Sequence, residues 1–333
     1  GVRFGGQAID FTQGDMRQTG GDLDLAIQGA GFLVLSNDRQ TYYARTGQFA
    51  LDDEGYISLL GSNYRLNLLD ENGGVSPVNL GDRRTDPPST THSITFSGNV
   101  SSSADQAVVS DIAVFDALGT RHVWKVTLAP STEEPVTPGT WTVTVTDEDG
   151  AEVGEVQTLR FDLAGQPEDP SVLTFSYEGE GGEPIEVTMD FSEVDSFSSG
   201  STSTIRAAKV DGYGLGTLTG VAITHDGRVQ LTYSNARTVE LGHVALASFQ
   251  DPQQLERLGD GLFRNNGGPA AVYASEAPGI GTLVSRQLEA PNVDLAQQFG
   301  DLILIQRGFQ ASSQVVSVSN DMIQQLFGIR GQG

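Results

Sequence analysis

The chain has 333 residues, with 43 acidic against 19 basic side chains and a formal net charge of -24. That balance excludes nucleic acid as a partner, since phosphate contacts need basic patches, and the absence of cysteine excludes disulfides, thiol chemistry and cysteine-ligated zinc. No apolar run is long enough to enter and cross a bilayer, and no pattern of a cleaved secretory signal is present.

The 41 glycines and the many Thr, Val and Ser residues point to strands and tight turns in two or three domains. Residues 1–20 form a polar, glycine-punctuated connecting segment. Residues 23–35, LDLAIQGAGFLVL, read as a buried strand pair turned at Gly29 and Gly31. Residues 41–60 alternate on either side of Asp53-Glu54-Gly55, a hairpin turn. At 81–92 periodicity stops and Pro87-Pro88 appears, which predicts a linker. Short alternating runs follow, among them AVVSDIAVFDAL, RHVWKVTLA and TWTVTVTD, separated by turns such as Ala117-Leu118-Gly119 and Glu148-Asp149-Gly150. That spacing predicts a β-sandwich or small barrel, with Trp124 and Trp141 in its core. Residues 178–184 read as an exposed turn and 197–204 as a second linker.

Beyond that linker the pattern of residues 23–60 returns: a hairpin at Asp226-Gly227, a strand over 239–249, and a turn with a short helical piece over 251–263. The resulting fold class is mainly β. It combines a discontinuous β-domain (21–88 with 203–290), an inserted sandwich or barrel-like β-domain (89–202) and a C-terminal helical segment (291–333).

From Asn292 onward, steps of three and four give Leu295, Phe299, Leu302, Gln306, Phe309, Ser313, Val316, Asn320, Ile323 and Phe327, an unbroken heptad seam. Asn292 is predicted as the N-cap with Asp294 in the first turn, and Gly331 and Gly333 as the stop. Such a helix is roughly 50 Å long. Seven large apolar side chains along it (Leu295, Phe299, Leu302, Phe309, Val316, Ile323, Phe327) leave on the order of 10–20 kcal/mol of burial awaiting a partner. Gln306, Ser313 and Asn320 within the seam would set register. Few charges interrupt the helix, so protein is expected around most of its circumference.

Catalytic and metal chemistry find no constellation. His92, His122, His225 and His243 have no ligand spacing, and Asp147-Glu148-Asp149-Gly150 starts like a calcium loop without its closing glutamate. Gly212, Gly214 and Gly216 do not make a phosphate-binding fingerprint. The expectation is no enzyme, no metal and no cofactor.

Taken together, LDLAIQGAGFLVL, YYARTGQFALDDEGYI, DGYGLGTLTGVAITHDGRVQLTYSN, LGHVALASFQDPQQL and the stretch from QLEAPNVDL to NDMIQQL resemble the bacterial flagellar rod–hook family, in that family's order. FSGNV, VFDALGTRHVWKVTL and GTWTVTV are similar to the inserted outer β-domain of its hook members, which favours the hook over the distal rod. The resemblance implies a structural subunit that leaves through the flagellar export channel without a cleaved signal. It then polymerises with itself, extracellularly, into a flexible tube that transmits torque. The implied partners are the hook cap, the distal rod, the hook–filament junction proteins and the export apparatus. In the family an N-terminal helix pairs with the C-terminal one as a coiled coil; these 333 residues do not contain it, so the chain is expected to be truncated and not to polymerise normally as it stands. A secreted adhesin or sugar-binding protein with an oligomerisation helix is the alternative reading of the same pattern.

Overall fold

The computed structural model describes residues 9–37, 40–132, 137–177, 184–267, 270–275, 277, 279–293 and 295–330, with side chains as far as Gln324. The predicted turn at 178–183, Asp294, the stop at Gly331 and Gly333, and the Phe327 side chain lie outside the described residues. The chain divides into two compact units: residues up to 78 with 222–229 and 242 onward, and residues 79–221 with 230–241. The predicted boundaries at 88 and 203 fall inside the second unit. There Thr85–Asp86 pairs with the start of the strand Gly216–Ile223, and Ser89 bridges Tyr213, so both arms of the connection fold with the insertion.

The first unit is an antiparallel assembly in which the strand Phe32–Asn37 pairs with Gln40–Ala44, Arg65–Leu69 and Leu246–Ser248. The strand Asp24–Gln28 pairs instead with Thr282–Ser285 and Thr46–Leu51. The predicted strand pair at 23–35 is therefore two buried strands that take different partners. Gly29 and Gly31, both at positive φ, turn the chain between them. A Cβ on Gly31 would sit 3.0 Å from Ile280, so close packing as well as φ requires glycine there. Phe32, Tyr43, Phe249 and Phe263 meet edge-on in the core, and Phe11 of the entry segment packs on Phe32 and Phe263 with ring centroids 5.7 and 5.5 Å apart. Across 251–263 the short helical piece is the 3-10 turn Pro252–Gln254, and the residues after it form a hairpin, Leu255–Gly259 with Leu262–Asn265. Leu255, Leu258 and Leu262 happen to recur at three and four, which imitates a helical face in a segment too short to establish one.

In the second unit, two four-stranded sheets share one core. Sheet I contains Ala107–Phe115, Arg121–Pro130, Thr140–Thr146 and Gln157–Arg160 in that order. Sheet II is ordered Val172–Tyr177, Ile185–Asp195, Ser93–Asn99, Arg206–Val210. Alternation sends Trp124, Val126, Leu128, Trp141, Val143 and Val145 inward from sheet I, and Phe96, Phe175, Val187, Met189 and Phe191 inward from sheet II. The Phe96 and Phe191 rings stack at 4.6 Å. Both tryptophans are core residues, as their alternating strands predict.

One turn recurs throughout, with Asp at its first position and Gly at its fourth. The Asp116, Asp147 and Asp162 carboxylates each accept the amides two and four residues on, while the fourth residue (Gly119, Gly150, Gly165) takes positive φ. Asp70 repeats the pattern with Asn72, Gly73 and Gly74. This is why Asp147-Glu148-Asp149-Gly150 reads like the opening of a calcium loop: the carboxylate points back at its own backbone. The G-x-G-x-G run has an equally local cause. A Cβ on Gly212 would lie 2.0 Å from the Thr91 hydroxyl, one on Gly214 3.1 Å from Phe115, and one on Gly216 2.7 Å from Asn235. Each glycine lets a neighbour approach.

Both predicted linkers are tied down. Along 81–92, Tyr233 donates its hydroxyl to the Arg83 carbonyl, and the Asp211 carboxylate accepts the His92 and Ser93 amides. Along 197–204, Asn99 accepts from the Phe197 amide and donates to the Phe197 carbonyl and Ser199, while buried Ser101 donates to the Gly200 carbonyl and accepts the Ser199 amide. Composition suggested freedom, but partners about a hundred residues away remove it.

The turn at Asp116 carries a pH signature. Burial raises the carboxyl pKa, but the Thr120 and Leu118 amides and the bond to His122 outweigh it and leave the group below the ordinary carboxylate range. A depressed pKa contributes stability above the unfolded value of about 3.9 and loses it as pH falls through the folded value. Asp116→Asn is therefore expected to melt at lower temperature than the parent at pH 7, with the gap closing as pH falls below the unfolded value and through the lowered folded one, as followed by thermal melts from neutral to acid pH. A gap that stayed constant with pH would contradict the assignment.

Candidate self-assembly surface

The helix α1, Leu295–Arg330, is 36 residues and so about 54 Å long. Every described side chain on it is exposed. Along the seam, exposure runs from 49% at Leu302 and Ile323, through Phe299, Val316 and Leu295, to 76% at Phe309. A soluble unit does not normally leave such a row of large apolar groups in water.

The seam is not the whole surface. Leu304, Ala311, Val315, Val318 and Met322 recur at seven, four, three and four, and at 100° per residue they fall on the side opposite the seam. They too are exposed, as are Ile303 and Ile305 between the two stripes. Sequence reasoning that followed the longest stripe passed over the second, although the same count from Leu304 finds it. Gly300 and Gly308 have nothing within 4 Å of a notional Cβ. A helix apolar on two opposed sides is built to lie between neighbours.

The foot of α1 is clasped to the first unit. The strand Met16–Gln18 pairs with Gln287–Glu289, bringing the entry segment beside the segment that leads into the helix. Beneath them the Arg45 Nε lies 3.2 Å from Glu289 Oε2, both side chains nearly buried at 14% and 10% exposed. The same guanidinium donates to the Gly29, Gly31 and Ile27 carbonyls, and Glu289 Oε1 accepts the Gly14 amide. Gly14 must be glycine, because a Cβ would stand 1.9 Å from the Ala290 carbonyl oxygen. Asn292 corrects a prediction: its amide donates to the Asp10 and Thr12 carbonyls and to the Thr12 hydroxyl. It stands three residues before the helix begins and ties the entry segment to the helix root; it does not cap. A groove of about 900 Å³, lined by Ile9, Phe11, Arg45, Phe263, Glu289 and Val293 among others, opens at this foot.

Among the described residues no three His, Asp or Glu side chains gather as a metal site, and no helix is long and apolar enough to cross a membrane. His92 and His225 are exposed, and His243 is half-buried. His122 stands 3.5 Å from the Asp116 carboxylate that organises its turn.

Two family models match this chain: the flagellar basal body protein FlaE D2 domain over residues 79–213, and the flagellar basal body rod FlgEFG protein C-terminal region over residues 284–329. The flagellar hook protein FlgE of Borreliella burgdorferi is 29% identical over an alignment covering 95% of this chain and 81% of that protein. The FlgE of Treponema pallidum is 26% identical, covering 96% of this chain and 82% of the relative. Among solved structures, the crystal structure of Helicobacter pylori hook protein FlgE2 superposes with a TM-score of 0.61 at 12% identity, over 82% of this chain and all of that one. That last likeness is one of fold.

Proposed function

Because this chain belongs to the flagellar hook protein family and is a structural subunit of the hook, we propose that α1 is its assembly element and that the β-units form the outer, deformable part of the tube. The observation that carries this reading is the pair of opposed apolar stripes on a helix whose described side chains are all exposed. Packed among neighbouring helices, they make a stiff inner wall. Copies then add end on end into a helical homopolymer that bends as a universal joint and passes torque from rod to filament. Growth runs under a hook cap, between the distal rod and the hook–filament junction proteins. Subunits arrive outside the cell through the flagellar export apparatus without a cleaved signal, and the chain carries no catalytic step. Torque is transmitted by position alone. Outer units that slide past one another need polar, wet and individually weak contacts.

An antibody raised against the sandwich, residues 93–210, is expected to decorate the hook along its length in immunoelectron micrographs of the parent bacterium. Label confined to the rod, or spread over the cell surface as for an adhesin, would overturn the reading.

A further inference from the structure

Two Asn-Gly-Gly runs occur in the chain, Asn72-Gly73-Gly74 and Asn266-Gly267-Gly268. An asparagine followed by glycine is open to attack from its own backbone: the glycine amide nitrogen reaches the asparagine side-chain carbonyl, and no Cβ on the glycine hinders the approach. Because the two runs share all three residues, sequence ranks them nearly equal. The fold does not.

Asn72 lies in the exposed turn that joins the strands Arg65–Leu69 and Val75–Pro77. Its backbone amide donates to the Asp70 carboxylate at 2.9 Å, but its carboxamide makes no hydrogen bond among the described residues. Gly73 takes a φ of 80° and has nothing within 4 Å of a notional Cβ. The bond to be given up is that of the Gly73 amide to the Asp70 carbonyl, 3.1 Å long. A neutral bond of this kind holds the reacting form back by about two- to tenfold.

Asn266 is held at both reacting ends. Its Nδ2 donates to Glu256 Oε2 at 2.6 Å, and the same carboxylate oxygen accepts the Arg264 guanidinium at 2.7 Å. The Gly267 amide, which would be the nucleophile, donates to Asn265 Oδ1 at 2.8 Å. The bond to the charged carboxylate alone holds this asparagine back by about tenfold to a hundredfold, and the Gly267 bond adds to it.

We propose that Asn72 is the site at which the folded subunit deamidates and that Asn266 is spared. The Gly73 nitrogen bonds to Asn72 Cγ, the Cγ–Nδ2 bond breaks, and Nδ2 leaves as ammonia with the proton that the Gly73 nitrogen gives up. Water then opens the resulting succinimide at either carbonyl, giving aspartate or isoaspartate. Nothing is oxidised or reduced, and no second copy takes part. Either product adds a carboxylate to a chain of net charge -24. Isoaspartate also inserts a methylene into the main chain, inside a turn closed by the Asp70 carboxylate on the Asn72 and Gly74 amides. The register of Leu68 and Leu69 against Ser76 and Val75 follows from that turn, so this end of the hairpin is the part that ageing loosens.

The test is ageing of the purified full chain at neutral and mildly alkaline pH, with peptide mapping by mass spectrometry that resolves isoaspartate from aspartate. In the folded chain Asn72 is expected to convert about tenfold or more faster than Asn266, and faster at the higher pH because the nucleophile is the deprotonated amide. In urea the two rates are expected to agree within about threefold, since the partners that hold Asn266 are gone. Glu256→Ala, a change at an exposed position, is expected to raise the Asn266 rate about tenfold and to leave Asn72 unchanged. Equal or undetectable conversion at the two sites of the folded chain, or a faster Asn266, overturns the proposal. So does a preference that survives in urea, or an Asn266 rate unmoved by Glu256→Ala. Conversion of Asn72 to aspartate without isoaspartate would mean direct hydrolysis and overturns it as well.

Discussion

Phe309→Asp is expected to abolish tube formation while leaving both β-units folded. Phe309 is the most exposed of the described apolar seam residues and lies near the middle of α1, where a defect cannot be absorbed by fraying. Burying a phenylalanine contributes about 1.5–3 kcal/mol. Placing an unpaired carboxylate in its stead adds a desolvation cost, and together they amount to roughly 3–5 kcal/mol per contact, or about two to nearly four orders of magnitude in each association step. Every subunit in a polymer carries the same lesion, so the penalty repeats at each addition. The isolated chain loses almost nothing, because the side chain has no neighbours to lose, and the melting of the β-units is expected to move by no more than about 0.5 kcal/mol. Electron microscopy of hooks and thermal melts of secreted subunits read the two halves of this expectation. Hooks of normal length from the variant would remove α1 from the assembly argument.

How much of the fold is legible in the sequence depends on how local its cause is. The sandwich core is legible because TWTVTVT alternates without interruption, so Trp141, Val143 and Val145 declare one face and their threonines the other. The first stripe of α1 is legible for the same reason at a different period. Its second stripe is shorter and interleaved with Ile303 and Ile305, so a search for one amphipathic face stops too soon. The misread linkers and Asn292 share a different property: their structure is set by distant partners. Residues 197–204 have the composition of a flexible connector, yet Asn99, Ser101 and Ser103 hold them from about a hundred positions away. Asn292 has a capping residue's chemistry, but Thr12, 280 residues away, takes its amide. Side-chain donors declare that a bond will be made and say nothing about with whom. The foot of the helix, where Arg45, Glu289, Gly14 and Asn292 converge, is invisible in the sequence for this reason, since no spacing links them.

That foot is where force generated along α1 would enter the β-units, so its weakest bond limits what the subunit can transmit. Glu289→Ala is expected to be the most destabilising single change there, at about 3–5 kcal/mol, because it strands the nearly buried Arg45 guanidinium. It also removes the acceptor of the Gly14 amide. Glu289→Gln keeps an oxygen for Gly14 and gives up the charge, so it should cost distinctly less. The order Ala, Gln, parent in denaturant midpoints checks the energetic part. Hydrogen exchange at the Gly14 amide checks the location, with faster exchange expected in the alanine variant. Because β-pairing between Met16–Gln18 and Gln287–Glu289 would persist without the carboxylate, hooks should still form but fail under load, swimming being lost in viscous medium before dilute buffer. A variant as stable as the parent with Gly14 exchange unchanged would mean that Phe11, seated between Phe32 and Phe263, holds the entry segment by apolar packing alone. The charged clasp would then serve only to set the register of the strands above it.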